Sequence, residues 1–336
     1  MRLVALVDAP QHVCARYRLA AFRPYLEAAG HELTLASWPK RFFPRLAFDR
    51  RLRQADLVIV QRRLLSAWRL FLLRRAARRF WFDYDDAVFL RDSYHARGPY
   101  SARLRRGFAR MVGAAERVLA GNSFLAREAA SHTRPDKIDV VPTCVDVARY
   151  VPKRHVTSAR VEMVWIGSSS TMQGLDLVRG DLERLGERLS FLDFRVVCDR
   201  APTWNHLPIL FSPWSEAREA EDLGGADIGV SWIPDDDWSR GKCGLKVLQY
   251  MAAALPVVAN AVGVHPEMIE HERTGLLVRT PAEFAAAIER LACDAELRRR
   301  LGEAGRRRVE EKYHVAIGAA QWLNLLNKTS NARRCA

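Results

Sequence analysis

The feature that most constrains this chain is a rhythm. Short apolar runs of strand length alternate with amphipathic stretches of helix length, and the rhythm starts twice. It first appears at residues 2–8, an apolar run ending at Asp8. A loop holding Arg16-Tyr17-Arg18 follows, then a helix with Leu19, Phe22 and Leu26 on one face, closed by Gly30. With the run at Glu32–Ala36 this is a β-α-β unit. Further strands are predicted over 56–61, 80–84, 117–120 and 138–141, and helices over 63–79 and 100–115. The second start is Val161–Ile166, ending in Gly167-Ser-Ser-Ser-Thr-Met-Gln-Gly174, with a helix expected to about Leu189. Strands at 194–198, 208–211, 226–233, 255–259 and 275–278 complete the pattern. Residues 281–313 read as two helices parted near Asp294, and 314–327 as one more.

Strands joined through helices form parallel sheets, whose two faces must both be covered. The expected class is therefore α/β: two doubly wound, Rossmann-like domains facing each other across an interdomain cleft. A length of 336 residues is more than one core normally serves. The predicted bounds are 1–153 for the first domain and 154–313 for the second. A helix and tail over 314–336 can pack back on the first.

In open parallel sheets, ligands bind beyond the carboxyl ends of the strands. That puts the chemistry in the loops 10–18, 83–86 and 122–123 of the first domain, and 167–171, 212–214, 234–244 and 260–265 of the second. The densest of these is Arg240-Gly-Lys-Cys-Gly-Leu-Lys-Val-Leu-Gln-Tyr-Met-Ala252. The loop ends at Gly244 and a helix begins at Leu245. Lys242 stands beside backbone N–H groups that have no acceptor within the helix, a combination suited to phosphate. Arg240 and Lys246 are alternative cations. Gln249 lies about one and a half turns into the helix, where its amide could meet a ribose hydroxyl. The competing reading is an ordinary loop and helix with a solvated lysine.

The same weighing applies elsewhere. Asp83, Asp85 and Asp86 could contact or orient a ligand's hydroxyl groups, or simply cap a turn or pair with neighbouring arginines. Arg16 and Arg18 could hold an anionic ligand or a phosphate, or one could be solvated while Tyr17 packs. Asn122 follows a strand of the first domain. Trp214 could lie against a nucleobase or form a groove wall.

The text of the second half resembles family 4 glycosyltransferases of the GT-B fold. The matching runs are Trp165-Ile-Gly-Ser-Ser-Ser-Thr171, Asp227-Ile-Gly-Val230, Gly241 through Ala252, Pro256–Asn260, Gly263-Val-His-Pro-Glu267 and Thr274–Val278. The first half matches more weakly, at Tyr17-Arg18, Phe82–Ala87, Gly121-Asn-Ser123 and Val141–Asp146. The resemblance implies a retaining transferase using a nucleotide-diphosphate sugar, an acceptor lying across the first domain, and neither metal nor cofactor. It implies donor contacts from Gly167, Ser168, Ser169, Thr171, Trp214, Arg240, Lys242, Gly244, Leu245, Lys246 and Gln249, with Lys242, Asp85 and Asp86 catalytic. Arg16, Arg18 and Asn122 fall to the acceptor. The leaving phosphate can itself take the acceptor proton, so no protein base is demanded.

Two departures stand out. The family commonly carries two glutamates eight positions apart, where this chain has Gly241 and Gln249. One of Asp235, Asp236 and Asp237 could replace the first. The family also often has Arg and Lys after the first strand of the second domain, where this chain has Ser168-Ser-Ser-Thr171. The charge requirement therefore shifts onto Lys242.

Charge separates the halves. Residues 1–155 hold 30 Lys and Arg against 14 Asp and Glu, and 156–336 hold 23 against 25. The entire excess of +14 lies in the first half, which points to an anionic partner. The segment Leu64–Leu73 followed by Arg74, Arg75, Arg78 and Arg79 can lie on an anionic membrane face, or the same apolar residues can cover the sheet. The six cysteines show no ligand or disulfide spacing, and no apolar run is long enough to span a bilayer. A cytoplasmic protein is expected, peripheral at most on the inner face of the plasma membrane. Its expected partners are a nucleotide sugar and a glycan or lipid-linked acceptor, not nucleic acid. Rival readings are a catalytically silent relative, a basic binding module and a GT-B epimerase.

Overall fold

The computed structural model describes residues 1–38 and 50–331. By contacts the chain divides into two compact units. One contains Met1–Cys144, Asp236–Cys243 and Val315–Ala336; the other contains Val145–Asp235 and Gly244–His314. The helix Val315–Asn331 thus belongs to the first unit, as does the eight-residue excursion ending at Cys243.

The first sheet comprises β1 (Arg2–Val7), β2 (Glu32–Ser37), β3 (Leu57–Gln61), β4 (Phe80–Tyr84), β5 (Arg117–Ala120) and β6 (Ile138–Val140). All pairings are parallel, in the order β2-β1-β3-β4-β5-β6. Successive side chains point to opposite faces. Leu6, Val58, Val60, Phe82 and Tyr84 therefore join one core cluster, which includes Phe108. Leu3, Ala5, Leu57, Ile59 and Trp81 join the other. Trp322 closes that second face, with its ring 6.1 Å from Trp81 and 6.3 Å from Phe22. This burial holds the C-terminal helix to the first unit.

The second sheet comprises β7 (Val161–Ile166), β8 (Leu192–Cys198), β9 (Ile209–Pro213), β10 (Ile228–Ser231), β11 (Val257–Asn260) and β12 (Leu276–Val278). It is also parallel, in the order β12-β11-β10-β7-β8-β9. The two helices expected over 281–313 are Pro281–Cys293 and Ala295–Lys312, with Asp294 capping the second through Leu297 N–H at 2.8 Å. Two expectations are corrected. Arg16–Arg18, expected in a loop, lie in the helix Val13–Arg18. The helix predicted up to Leu189 is two, Ser169–Asp176 and Arg179–Arg188. Tight turns from Leu177 N–H to Gly174 O and from Val178 N–H to Leu175 O end the first and bury Val178.

Both sheets reverse strand order once, between β1 and β3 and between β7 and β10. Loops at such reversals leave room for a ligand. Among the described residues no helix is long and apolar enough to cross a membrane.

Candidate active site

In the first unit Asp83 lies near the carboxyl end of β4, fully buried. Burial raises its carboxyl pKa, and the Arg18 guanidinium opposes the rise. Arg18 donates to both Asp83 oxygens and to Val141 O, and is only 1% exposed. Gln61 Nε2 adds a third donor to Asp83 at 3.4 Å. An arginine with its donors spent inside the core is a clamp between elements. The structure therefore places Arg18 away from solvent and from any acceptor. Arg16 differs, its guanidinium lying 5.3 Å from the centre of the Tyr17 ring.

Two residues further on, the loop after β4 becomes a charge cluster. Lys242 Nζ donates to both Asp86 oxygens at 3.1 Å. Arg62 Nη2 donates to Asp86 Oδ2 at 2.8 Å, and Arg62 Nε stands 3.6 Å from Asp85 Oδ1. Two predicted catalytic residues 156 positions apart thus form one ion pair. The pair is largely sheltered, at 25% exposure for Lys242 and 16% for Asp86. The ammonium also lies 3.4 Å from the centre of the Trp238 ring, whose face attracts cations. Arg62 was not among the residues singled out by sequence. Its φ of +58° is unusual for a side chain other than glycine, and costs about 1–2 kcal/mol. Strand pairing of its N–H with Asp83 O at 2.8 Å and the two aspartates hold it there. Its position at the carboxyl end of β3 was the one sequence signal available. Arg62 Nη1 also meets Cys14 Sγ. Burial, with Asp85 next, pushes that thiol up to about 12, so it is unreactive as a nucleophile.

Asn122 fixes the backbone that presents Lys242. Its Oδ1 accepts from Leu125 N–H at 2.8 Å, capping the helix Ser123–Ala130. Its Nδ2 donates to Arg240 O at 3.2 Å and Lys242 O at 3.0 Å. All its amide atoms therefore serve structure. Gly241 is required by space, since an added Cβ would stand 2.6 Å from Ala87 Cβ and 2.8 Å from Ala87 N. No glutamate fits there. The neighbouring aspartates are also engaged. Asp236 caps Ser239 N–H at 2.8 Å, while Asp237 accepts from Tyr100 Oη at 3.0 Å and pairs with Arg240 at 3.3 Å.

In the second unit the loop after β7 is neutral. Gly167 is tight, since a Cβ would meet the Trp165 ring at 2.6 Å and Thr171 Oγ1 at 2.9 Å. Ser168 and Thr171 cap each other in a capping box. Ser169 gives its N–H to Asp199 Oδ1 at 2.7 Å and its hydroxyl to Asp199 Oδ2 at 2.8 Å. Those bonds, the backbone one first, lower the Asp199 pKa to about 2. A carboxylate thus already occupies part of this helix start. Lys246 Nζ lies 4.2 Å from the centre of the Trp165 ring. Gly244 takes a left-handed φ of +63° with Met268 and Val264 packed against it, and leads into the helix Leu245–Ala252. Leu245 is half-buried at its start. Gln249 lies inside, 3% exposed, and its Nε2 donates to Tyr150 Oη at 3.1 Å. Trp214 remains partly exposed, while the neighbouring Ser212 hydroxyl accepts from Arg195 at 3.1 Å. His265 is buried, with Nδ1 donating to Asn260 O at 2.8 Å and Nε2 facing Ser231 Oγ at 3.4 Å. Burial lowers its pKa to about 4, so it is neutral. No group of His, Cys, Asp and Glu among the described residues is arranged to hold a metal ion.

Residues 146–294 match the family model described as Glycosyl transferases group 1. The chain is 27% identical over 262 residues to D-inositol 3-phosphate glycosyltransferase of Pseudarthrobacter chlorophenolicus, covering 65% of this chain and 60% of that one. It is 38% identical over 95 residues to alpha-maltose-1-phosphate synthase of Mycolicibacterium smegmatis, covering 26% and 24%. It thus spans less than two thirds of the length of these curated relatives. Sucrose-phosphate synthase from Thermosynechococcus elongatus superposes with a TM-score of 0.74 at 15% identity, over 98% of this chain and 99% of that one. Two six-stranded parallel Rossmann-like units are therefore a GT-B fold.

Proposed function

We propose that this chain is a family 4 (group 1) glycosyltransferase that moves a sugar from a nucleotide-diphosphate sugar to a glycan or lipid-linked acceptor, with retention at the anomeric carbon. The observation that carries the reading is that the family match over 146–294 contains a loop whose lysine is held by an aromatic face and a paired carboxylate. In the proposed reaction the bond from the anomeric carbon to the phosphate oxygen breaks. Both electrons leave with the diphosphate, so negative charge grows there. We assign Lys242 to that charge: a preset ammonium needs no reorientation of water when the charge develops. The acceptor oxygen bonds the anomeric carbon on the same face, and its proton passes to the departing phosphate. No protein base is then required.

In this scheme Asp86 is a holder. It keeps Lys242 extended over Trp238 until a phosphate offers a second anion, and Arg62 keeps Asp86 neutralised when Lys242 turns away. Asp85 shares Arg62. Replacing Lys242 by alanine is expected to lower kcat/KM for transfer, or for donor hydrolysis without acceptor, by about 10²–10³-fold. The melting temperature should change by only a few degrees, about 2–4 °C per kcal/mol at this size. Full activity in a folded Lys242→Ala protein would overturn the assignment. The donor is found by thermal shift against UDP-, GDP-, ADP- and dTDP-sugars.

One observation favours a second reading. Gln249, at the position of a family glutamate, is bonded to Tyr150 inside the unit. A silent relative would bind nucleotide sugar without consuming it, and the same titration followed by product analysis separates the two.

A further inference from the structure

The helix Ala67–Ala76 has one side in the core and one outside. Leu70, Leu73 and Ala76 pack into the cluster beneath the sheet. Its outer side presents Trp68, 64% exposed, and Phe71, 47% exposed. These are the largest apolar side chains of the segment, and the core leaves them out. They stack on each other with ring centres 5.5 Å apart. Arg75 lies 5.8 Å from the Phe71 ring centre. Arg69, Arg74, Arg75 and Arg78 are exposed around them. Among the described residues none of these four has a carboxylate within ion-pair distance, and the sequence has no Asp or Glu from Leu57 to Phe82. Other arginines of the unit are paired with carboxylates: Arg79 with Glu116, Arg117 with Asp139, Arg134 with Asp136. The patch therefore combines two things solvated surfaces avoid, a contiguous aromatic pair and unbalanced positive charge.

We propose that this face docks on an anionic phospholipid bilayer. A headgroup layer supplies both missing complements at once. Its phosphates meet the guanidinium groups, and its acyl boundary takes the aromatic pair, with the indole N–H left at the polar level. Arginine stems can lie along the apolar boundary while their heads stay with phosphate. The helix is too short to span and too well anchored by Leu70 and Leu73 to leave the unit, so the contact is peripheral. A second copy of this chain is a poorer occupant, since it would bring the same uncompensated arginines against these. This inference stands apart from the transferase reading, and its readout is lipid binding.

The test is co-sedimentation of the full chain with phosphatidylcholine vesicles with and without phosphatidylglycerol. Binding is expected only with phosphatidylglycerol, and is expected to weaken by about ten-fold or more in about 0.5 M salt. A Trp68→Ser, Phe71→Ser double variant should bind at least about ten-fold more weakly. An Arg74→Glu, Arg75→Glu variant should lose the phosphatidylglycerol dependence. Circular dichroism shows whether each variant is folded, and the second keeps the test alive if the first is not. Three results would overturn the proposal: no binding to phosphatidylglycerol vesicles at low salt, unchanged binding in both folded variants, or a wild-type dimer that the aromatic variant abolishes while lipid binding is absent.

Discussion

The two units are built on the same plan and solve charge in opposite ways. Each is a six-stranded parallel sheet with one reversal of strand order. At the reversal in the first unit, the loop ends carry ions: Arg18 on Asp83, and Arg62 with Lys242 on Asp86. In the second, the corresponding loop is Gly167-Ser-Ser-Ser-Thr171, which has no charged side chain of its own and gives Ser169 to the Asp199 carboxylate. His265 is neutral through burial and Gln249 faces Tyr150. One scaffold can therefore present a network of ion pairs or a loop of neutral donors holding a single carboxylate. The choice rests on a few loop residues, since the parallel core needs only apolar strands on both faces.

The charged side is broken most directly by Lys242→Ala, with the loss of about 10²–10³ in turnover given above. If a variant on the neutral side, such as Ser168→Ala, lost as much, the division of labour would fail.

The neutral side is sharpened by acid. His265 in the folded protein has a pKa of about 4, against 6.5 when unfolded. Above pH 6.5 neither form is protonated and the residue is silent. Between 6.5 and about 4 the unfolded chain binds the proton and the folded one does not, so stability falls as the pH falls. The full loss is about 3 kcal/mol. Urea unfolding of the wild type from pH 7 to 4 should therefore be steeper in pH than that of His265→Gln. Parallel curves would mean that His265 is not held neutral.

Backbone geometry gives the next effect. Gly244→Ala should cost about 2–3 kcal/mol, combining left-handed strain with crowding by Met268. A melting temperature within a degree of wild type would show that the turn relaxes. The smallest effect is expected at Asn122→Ala, about 1–2 kcal/mol for the lost cap. It also frees the carbonyls of Arg240 and Lys242. Its activity should fall with stability because Lys242 loses its mount. Loss of stability with unchanged kcat would separate the cap from the mount.

Much of the fold was legible in the sequence because periodicity is local. The apolar runs at Leu57–Val60 and Val161–Ile166 are strands because burial on two faces leaves few polar positions, Glu162 being paired with Arg195. Gly30 and Gly244, both with positive φ, mark the ends and starts of helices as expected. Lys242 was legible as a cation beside a helix start. Asp86 was legible as a loop carboxylate, but its pairing with Lys242 was not, since no local pattern links residues that far apart. Arg18 read as a loop arginine, yet is nearly the least exposed large side chain of the first unit. The aromatic pair at Trp68 and Phe71 read as part of an apolar run with Leu70 and Leu73, and only the packed sheet separates inside from outside.

By itself the sequence determined the strand and helix order, the two-unit plan, the charge imbalance and the glycine-bounded loop ending at Gly244. These follow from composition and short-range backbone preference. The tertiary structure alone decided that residues 236–243 belong to the first unit, that Lys242 rests on Asp86 and Trp238, and that Gln249 turns inward to Tyr150. The physical reason is that side-chain direction in a loop or a buried helix is set by what packs against it. Those partners come from elements far away in the chain.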